Sequence, residues 1–485
     1  MSFLDPTEWE RSIFTGRWTP ASSTAVSREP ATGEPIGEYG VASESDVASS
    51  VSAAREAQRA WAAATYDVRA GVLRRAAQAF VAHAAEIAEV FGREAGAARG
   101  VATPQAHVAA EECYEAAALA AMPAGELLRS RVQRLSLARH VPVGVVGVIA
   151  PFNSPILLAV RALAPALALG NAVVLKPDPR TAVCGGAVFA EIFREAGLPE
   201  GLLHVLPGGA EVGAALVAHP QVPVIAFTGS TRGGRAIALA AAEHLKRTHL
   251  ELGGNSALIV LADADVEAAA RAGAWASFRH AGQICMAAGR HLVHESVYDS
   301  YVSTLAREAT ALRVGDPVRS DADLGPVIDE RQRDHVHSLV TASVSAGAEL
   351  LAGGEYDRLF YRPTVLGRPP LDAPAYAEEV FGPVACVVPF ADAEDAARLA
   401  AESEYGLALS IFTRDVLAGL DLAERIPAGL VHINDQTIND EVVAPFGGVG
   451  DSGNGSRHGG HRANLEAFTE VQWVTMRQAP PAYHW

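Results

Sequence analysis

Cys285 lies in the run Phe278-Arg279-His280-Ala281-Gly282-Gln283-Ile284-Cys285-Met286, and Glu251 lies 34 residues earlier in Leu250-Glu251-Leu252-Gly253-Gly254-Asn255. A thiol and an acid, both in glycine-flanked runs, suit covalent catalysis in two half-reactions. The thiolate attacks a carbonyl carbon, and the acid then prepares water to release the acyl group. The ordinary alternative for each of the four cysteines, Cys113, Cys184, Cys285 and Cys386, is a reduced, buried, apolar residue. They are spread evenly and include no Cys-x-x-Cys pair, so no disulfide framework is indicated. His280, His291 and His294 bracket Cys285 at spacings that match no zinc pattern, and no metal is expected.

Other residues qualify as partners. Asn153, in Pro151-Phe152-Asn153-Ser154-Pro155, stands between a strand pattern and a helix pattern. It either caps the helix or turns its amide to an oxyanion. Of 39 basic residues only Lys176 and Lys246 are lysine, so a retained lysine points to a task for a compact ammonium. Lys176 follows Val173-Val174-Leu175, at the end of a strand where parallel sheets bind ligands, and suits ribose hydroxyls; the alternative is a solvated lysine. Phe227-Thr228-Gly229-Ser230-Thr231-Arg232-Gly233-Gly234 follows a strand and opens a helix, which is either an anion site or plain capping. Gly448-Val449-Gly450-Asp451-Ser452-Gly453 spells Gly-x-Gly-x-x-Gly but follows Ala444-Pro445-Phe446 rather than a strand, so a mobile glycine-rich loop is expected there.

The elements that must position these residues alternate. Val141 to Ala150 is β-branched, Ile156 to Leu169 an apolar helix pattern, and Ala172 to Leu175 a short strand. Thr181 to Ala196 reads as a helix closed by Gly197, followed by a strand at 202–206, a helix at 210–218 and strands at 222–228 and 249–252. Strand and helix alternating at this spacing predict a parallel sheet covered on both faces. Residues 44–121 read as alanine-rich helices, and a second alternating unit runs from Ala257 to about Phe412, with strands at 384–390 and 408–412. The stretches 127–140 and 468–476 alternate like exposed strands in need of a partner.

A chain of 485 residues accommodates two or three domains, and no apolar run reaches membrane-spanning length. A net charge of −17 argues against general nucleic-acid binding and against docking on anionic membranes. The N-terminal residues lack a basic stretch followed by an apolar one, so no signal peptide is expected and the cytoplasm is the expected compartment.

Seven segments in order resemble the NAD(P)-dependent aldehyde dehydrogenase superfamily across nearly the whole chain: those around Asn153, Lys176, Gly229, Glu251 and Cys285, then Glu379-Val380-Phe381-Gly382-Pro383 and Pro445-Phe446-Gly447-Gly448. The runs 167–186 and 249–294 look most like bacterial benzaldehyde dehydrogenases, with vanillin dehydrogenases also close. The resemblance implies an α/β fold with a Rossmann-type cofactor domain (1–123 and 143–254), an α/β catalytic domain (255–466) and a β oligomerisation arm (124–142 and 467–485). It implies Cys285 as nucleophile, Glu251 as general base, and Asn153 with the Cys285 amide as oxyanion donors. Lys176 and Glu379 would hold the ribose, Gly229 and Ser230 the pyrophosphate, and Phe381 would pack near the nicotinamide ribose, with Phe152 and Gly253 also at the cofactor. The cofactor implied is NAD. One departure leaves NADP open: many NAD-preferring members carry glutamate three residues after the lysine, and Pro179 followed by Arg180 stands here.

Leu157, Leu158, Ile284, Met286 and Phe446 would line the substrate pocket, suiting an uncharged aromatic or aliphatic aldehyde. Arg161, one helical turn from Leu158, either faces that pocket and binds a polar or anionic substituent or is a surface arginine, the more ordinary outcome. The expected activity is oxidation of an aromatic aldehyde to its acid by a homodimer or homotetramer. The alternatives are an aliphatic or semialdehyde dehydrogenase of the same mechanism and a non-catalytic homologue. An acylating relative that passes the acyl group to a thiol would generally lack Glu251, and an alcohol dehydrogenase would need its Gly-x-Gly-x-x-Gly after a strand.

Overall fold

Five strands rich in β-branched residues, Val145–Ile149, Ala172–Lys176, Leu203–Val205, Val224–Thr228 and Arg247–Glu251, pair in parallel in the computed structural model, which describes residues 3–483. Their order across the sheet is 247–251, 224–228, 145–149, 172–176, 203–205, and the antiparallel strands Ser12–Phe14 and Trp18–Pro20 extend it to seven. Val145–Ile149 and Ala172–Lys176 are buried throughout, which is why they read as continuous apolar runs rather than as alternating ones. The alanine-rich region forms four helices, Glu44–Ala63, Tyr66–Ala82, Ala84–Ala95 and Arg99–Leu119, that cover this sheet with Pro155–Ala168.

The register sets one level at the carboxyl edge of the sheet. Ile149 lies opposite Lys176 and Phe227, and Thr228 lies opposite Glu251. Five residues past Glu251 the chain enters Ser256–Val260 of a second seven-stranded sheet, ordered 349–352, 364–367, 384–390, 288–294, 256–260, 408–412, 430–433. All its pairings are parallel except that of the edge strand Glu349–Ala352. Cys285 and Glu379 each lie a few residues before strands of this sheet, Ala288–His294 and Val384–Phe390. The carboxyl edge of the first sheet therefore meets the amino edge of the second.

A third sheet has three antiparallel strands, Gly125–Leu127, Leu135–Pro142 and Thr469–Met476, with Leu127, Val471 and Trp473 exposed. The first two and last two residues of the chain, at the ends of the segments expected to form the cofactor domain and the arm, lie outside the described residues.

Two local expectations are corrected. Residues 181–196 are not one helix: a 3₁₀ turn, Pro179–Thr181, leads through a π-helical segment, Val183–Ala187, into the α-helix Val188–Glu195. Glu94 holds the start of the π-helical segment, accepting from the amides of Val183 (2.9 Å) and Cys184 (2.6 Å). The glycine-rich run at 448–453, expected as a loop open to movement, is packed against Glu251, Leu252 and Thr231. Ser452 is fully buried, its carbonyl accepts from Leu252 N (3.0 Å), and Asp451 O accepts from Thr231 Oγ1 (2.9 Å). Gly453 bridges Glu251 so closely that a Cβ there would stand 3.0 Å from Leu250 O.

Candidate active site

Glycines bring the three loops of the site into backbone contact. A Cβ on Gly254 would lie 2.7 Å from the carbonyl oxygen of Cys285, and one on Gly282 would lie 2.0 Å from that of Gly382. The run Gly253-Gly254, the Cys285 loop and the Glu379-to-Pro383 loop can pack this tightly only with glycine at the crossings. Three successive residues shortly before Cys285, namely His280, Ala281 and Gly282, have φ near +50° to +70° (53°, 52° and 69°). Two of them carry a Cβ, so the turn that presents Cys285 is strained. His280 is buried against Phe91, and Gln283 locks the turn, its side-chain oxygen accepting from Ile328 N at 2.9 Å.

Cys285 is partly exposed at the edge of an apolar cluster of Ile284, Met286, Leu407, Ala408, Leu430, Ile438 and Phe446. Burial pushes its thiol up to about 12, and Glu379, Glu251 and Asp440 add to the shift. Its backbone N–H has no partner among the described residues. Asn153, 5% exposed, donates one Nδ2 proton to Gln283 O at 2.8 Å. That bond ties the amide to the Cys285 loop and leaves the second Nδ2 proton to donate. Helix capping is not its role, since Ser154 occupies the N-cap position.

Glu251 is 3% exposed, and neither carboxylate oxygen has a partner among the described residues. Desolvation raises its pKa well above the usual range, against the opposing charges of Arg161 and Arg457. A buried carboxyl of raised basicity and free lone pairs is suited to accept a proton from water.

Lys176, 8% exposed, makes no ion pair among the described residues, and burial lowers its pKa against the pull of Asp178 and Glu211. The Glu379 carboxylate rests on Gly253 and accepts from Gly254 N at 3.0 Å; burial pushes it up to about 7. Phe381, at φ 50°, sets its ring edge-on to Phe152, centroids 5.9 Å apart. Ser230 caps the helix Thr231–Ala242, accepting from Gly233 N at 3.2 Å. The Gly229 amide is bonded to Glu251 O (3.0 Å), so the donors left for an anion are the Ser230 hydroxyl and the amides of Thr231 and Arg232.

Arg161 is not a surface residue. It is 4% exposed, with Nε on Glu112 (3.0 Å), Nη2 on Asp440 (2.5 Å) and Cζ 5.1 Å from the Phe446 ring centroid. Leu158, Arg161, Glu251, Phe446 and His458, with residues of the first sheet, border a small cavity of about 10 Å³. Leu157, half-buried, borders neither this cavity nor the cluster at Cys285. Leu407 and Ile438, which pack in the cluster with Cys285, and Asp440, which pairs with Arg161, are neighbours that the motifs did not reveal.

A sequence model of the aldehyde dehydrogenase family matches residues 18–474. The chain belongs to the aldehyde dehydrogenase family. It is 61% identical to a vanillin dehydrogenase of an Amycolatopsis species and 48% identical to an NAD(+) benzaldehyde dehydrogenase of Pseudomonas putida, with 98% of each chain covered in both cases. Among solved structures it superposes on a betaine aldehyde dehydrogenase of Staphylococcus aureus in complex with NAD+ with a TM-score of 0.95 at 30% identity, covering 99% of this chain and 97% of that one. An aldehyde dehydrogenase of Bacillus cereus gives 0.93 at 33% identity, with 96% of each chain covered. The family and the α/β fold expected from the seven segments are thereby established.

Proposed function

We propose that this aldehyde dehydrogenase oxidises aromatic aldehydes to carboxylic acids with NAD+, through a thioester on Cys285. The observation that carries the mechanism is the juxtaposition of a partly exposed thiol, a tethered amide with a spare proton, and a buried, unpartnered carboxyl. The residues of the junction fit a dinucleotide. The unpaired ammonium of Lys176 and the Glu379 carboxylate suit ribose hydroxyls, and the helix start at Ser230 suits a pyrophosphate. When bound, the nicotinamide ring accepts a hydride. Arg180 is held by Asp178 (2.9 Å) and Asp329 (2.8 Å), which leaves it poorly placed to greet a 2′-phosphate and favours NAD+ over NADP+.

Cys285 Sγ, once deprotonated, attacks the aldehyde carbon. Asn153 Nδ2 and the Cys285 N–H then donate to the oxygen of the thiohemiacetal. Loss of hydride from that carbon leaves a thioester. Glu251 takes a proton from water, the resulting hydroxide equivalent attacks the acyl carbon, and Cys285 leaves as thiolate. The apolar wall of Ile284, Met286, Leu407 and Phe446 favours a flat, uncharged substituent, consistent with the named substrates of the two relatives. The exposed apolar residues of the three-stranded sheet support assembly with further copies of the chain. No helix among the described residues is long and apolar enough to cross a membrane.

Reduced-cofactor formation with benzaldehyde, vanillin, hexanal and succinic semialdehyde, each with NAD+ and NADP+, tests the proposal. The aromatic aldehydes with NAD+ should give the highest kcat/KM; no turnover with any pair would remove the enzymatic reading.

A further inference from the structure

We propose that Arg161 and Asp440 form a subsite that recognises a hydroxyl group on the substrate ring and turns away anionic substituents, an inference that rests on the aromatic-aldehyde reading. The guanidinium is bracketed, with Nε on Glu112 and Nη2 on Asp440. An anionic substituent therefore meets a cation already matched by two carboxylates, and the nearer of these would repel it. Two polar atoms of the cluster remain buried with no partner, Arg161 Nη1 and Asp440 Oδ1. Buried donors and acceptors left unpaired are costly, and a ligand that satisfies both recovers that cost.

One donor and one acceptor on a joined pair complement a phenolic hydroxyl. It gives its proton to Asp440 Oδ1 and accepts from Arg161 Nη1. A methoxy group can only accept, and a carboxylate has no proton to give. The location suits a ring substituent. Arg161 lies over Phe446, which packs with Met286 in the cluster that includes Cys285, and Ile438, two residues before Asp440, packs there too. Arg161 also borders, with Leu158, Glu251 and Phe446, a cavity of about 10 Å³ that Asp440 does not line, with room for about one water-sized group beside the guanidinium.

The test compares kcat/KM with NAD+ for benzaldehyde, for meta- and para-hydroxybenzaldehyde, for their methoxy counterparts and for para-carboxybenzaldehyde. In the wild type, at least one hydroxybenzaldehyde should exceed its methoxy counterpart by about tenfold or more, with the carboxylate poorest. In Asp440→Asn the amide must keep its oxygen on Arg161, which turns an N–H into the place of the acceptor, so the hydroxy-to-methoxy ratio should fall towards one or reverse. Glu112→Gln should raise the relative kcat/KM of the carboxylate. Benzaldehyde turnover with hydroxy and methoxy compounds within about twofold at both positions would overturn the subsite and leave the proposed activity standing. A folded Asp440→Asn with an unchanged ratio would overturn it equally. Should that variant fail to fold, the wild-type comparison decides; if the wild type does not oxidise benzaldehyde at all, both proposals fall.

Discussion

Asn153→Ala tests the oxyanion role proposed for this side chain apart from its structural role. The side chain is almost fully buried and spends one Nδ2 proton on Gln283 O at 2.8 Å, leaving one proton for the substrate oxygen. Removing one such donor typically costs about 3 kcal/mol in the transition state, so hydride transfer should slow by about 10²- to 10³-fold. The orphaned Gln283 carbonyl should cost a further ~1–3 kcal/mol of folding stability, visible as a lower melting temperature but not in the rate of correctly folded enzyme. Asn153→Asp sharpens the comparison. It places an anion against the Gln283 carbonyl and against the developing oxyanion, so it should be slower than the alanine variant although it is closer in shape. Stopped-flow measurement of the first turnover at saturating NAD+ reads hydride transfer directly. A first-turnover rate for Asn153→Ala within about threefold of wild type would refute the assignment, as would an aspartate variant faster than the alanine one.

Burial holds the Cys285 thiol near 12 in the cofactor-free protein, so alkylation by iodoacetamide should accelerate about tenfold per pH unit between about pH 7 and 10, and a plateau below about pH 9 would contradict this environment. Glu379, raised to about 7, ionises as pH rises through neutrality, so if its carboxylate accepts from ribose hydroxyls the affinity for NAD+ should rise through that range and Glu379→Gln should flatten the profile in a fluorescence titration. Lys176→Met removes an unpaired buried ammonium, so NAD+ should bind about 10- to 100-fold more weakly while the melting temperature does not fall; an unchanged Kd would remove Lys176 from the cofactor site.

Elements whose identity rests on local pattern were legible in the chain. The helix Ala210–Ala218 and the strands Val384–Phe390 and Ala408–Phe412 end where their apolar patterns end. The segment 181–196 was not, because the carboxylate that binds its first amides, Glu94, arrives from a distant helix. The glycine-rich run at 448–453 likewise packs against Glu251 and Leu252, about two hundred residues away in the chain. The motifs around Cys285, Glu251 and Asn153 pointed to residues that the fold does bring to one junction. Asp440, Leu407 and Ile438 carried no motif, since their place beside Arg161 and Cys285 exists only after the second sheet forms. Arg161 did carry a signal: a lone charge among the apolar residues of Ile156 to Leu169 implies a buried, paired cation, but its two partners, Glu112 and Asp440, lie on other elements.

The covalent account is tested most directly by trapping its intermediate. Glu251→Gln keeps the shape of the side chain and removes the base, so the first half-reaction should proceed and the second should slow by about 10²- to 10⁴-fold. Mixed with benzaldehyde and NAD+ and quenched in acid, this variant should release one reduced cofactor per site. The peptide containing Cys285 should then be heavier by one benzoyl group in place of one hydrogen. Full steady-state turnover with an unmodified Cys285 peptide would contradict the thioester and the role of Glu251 together.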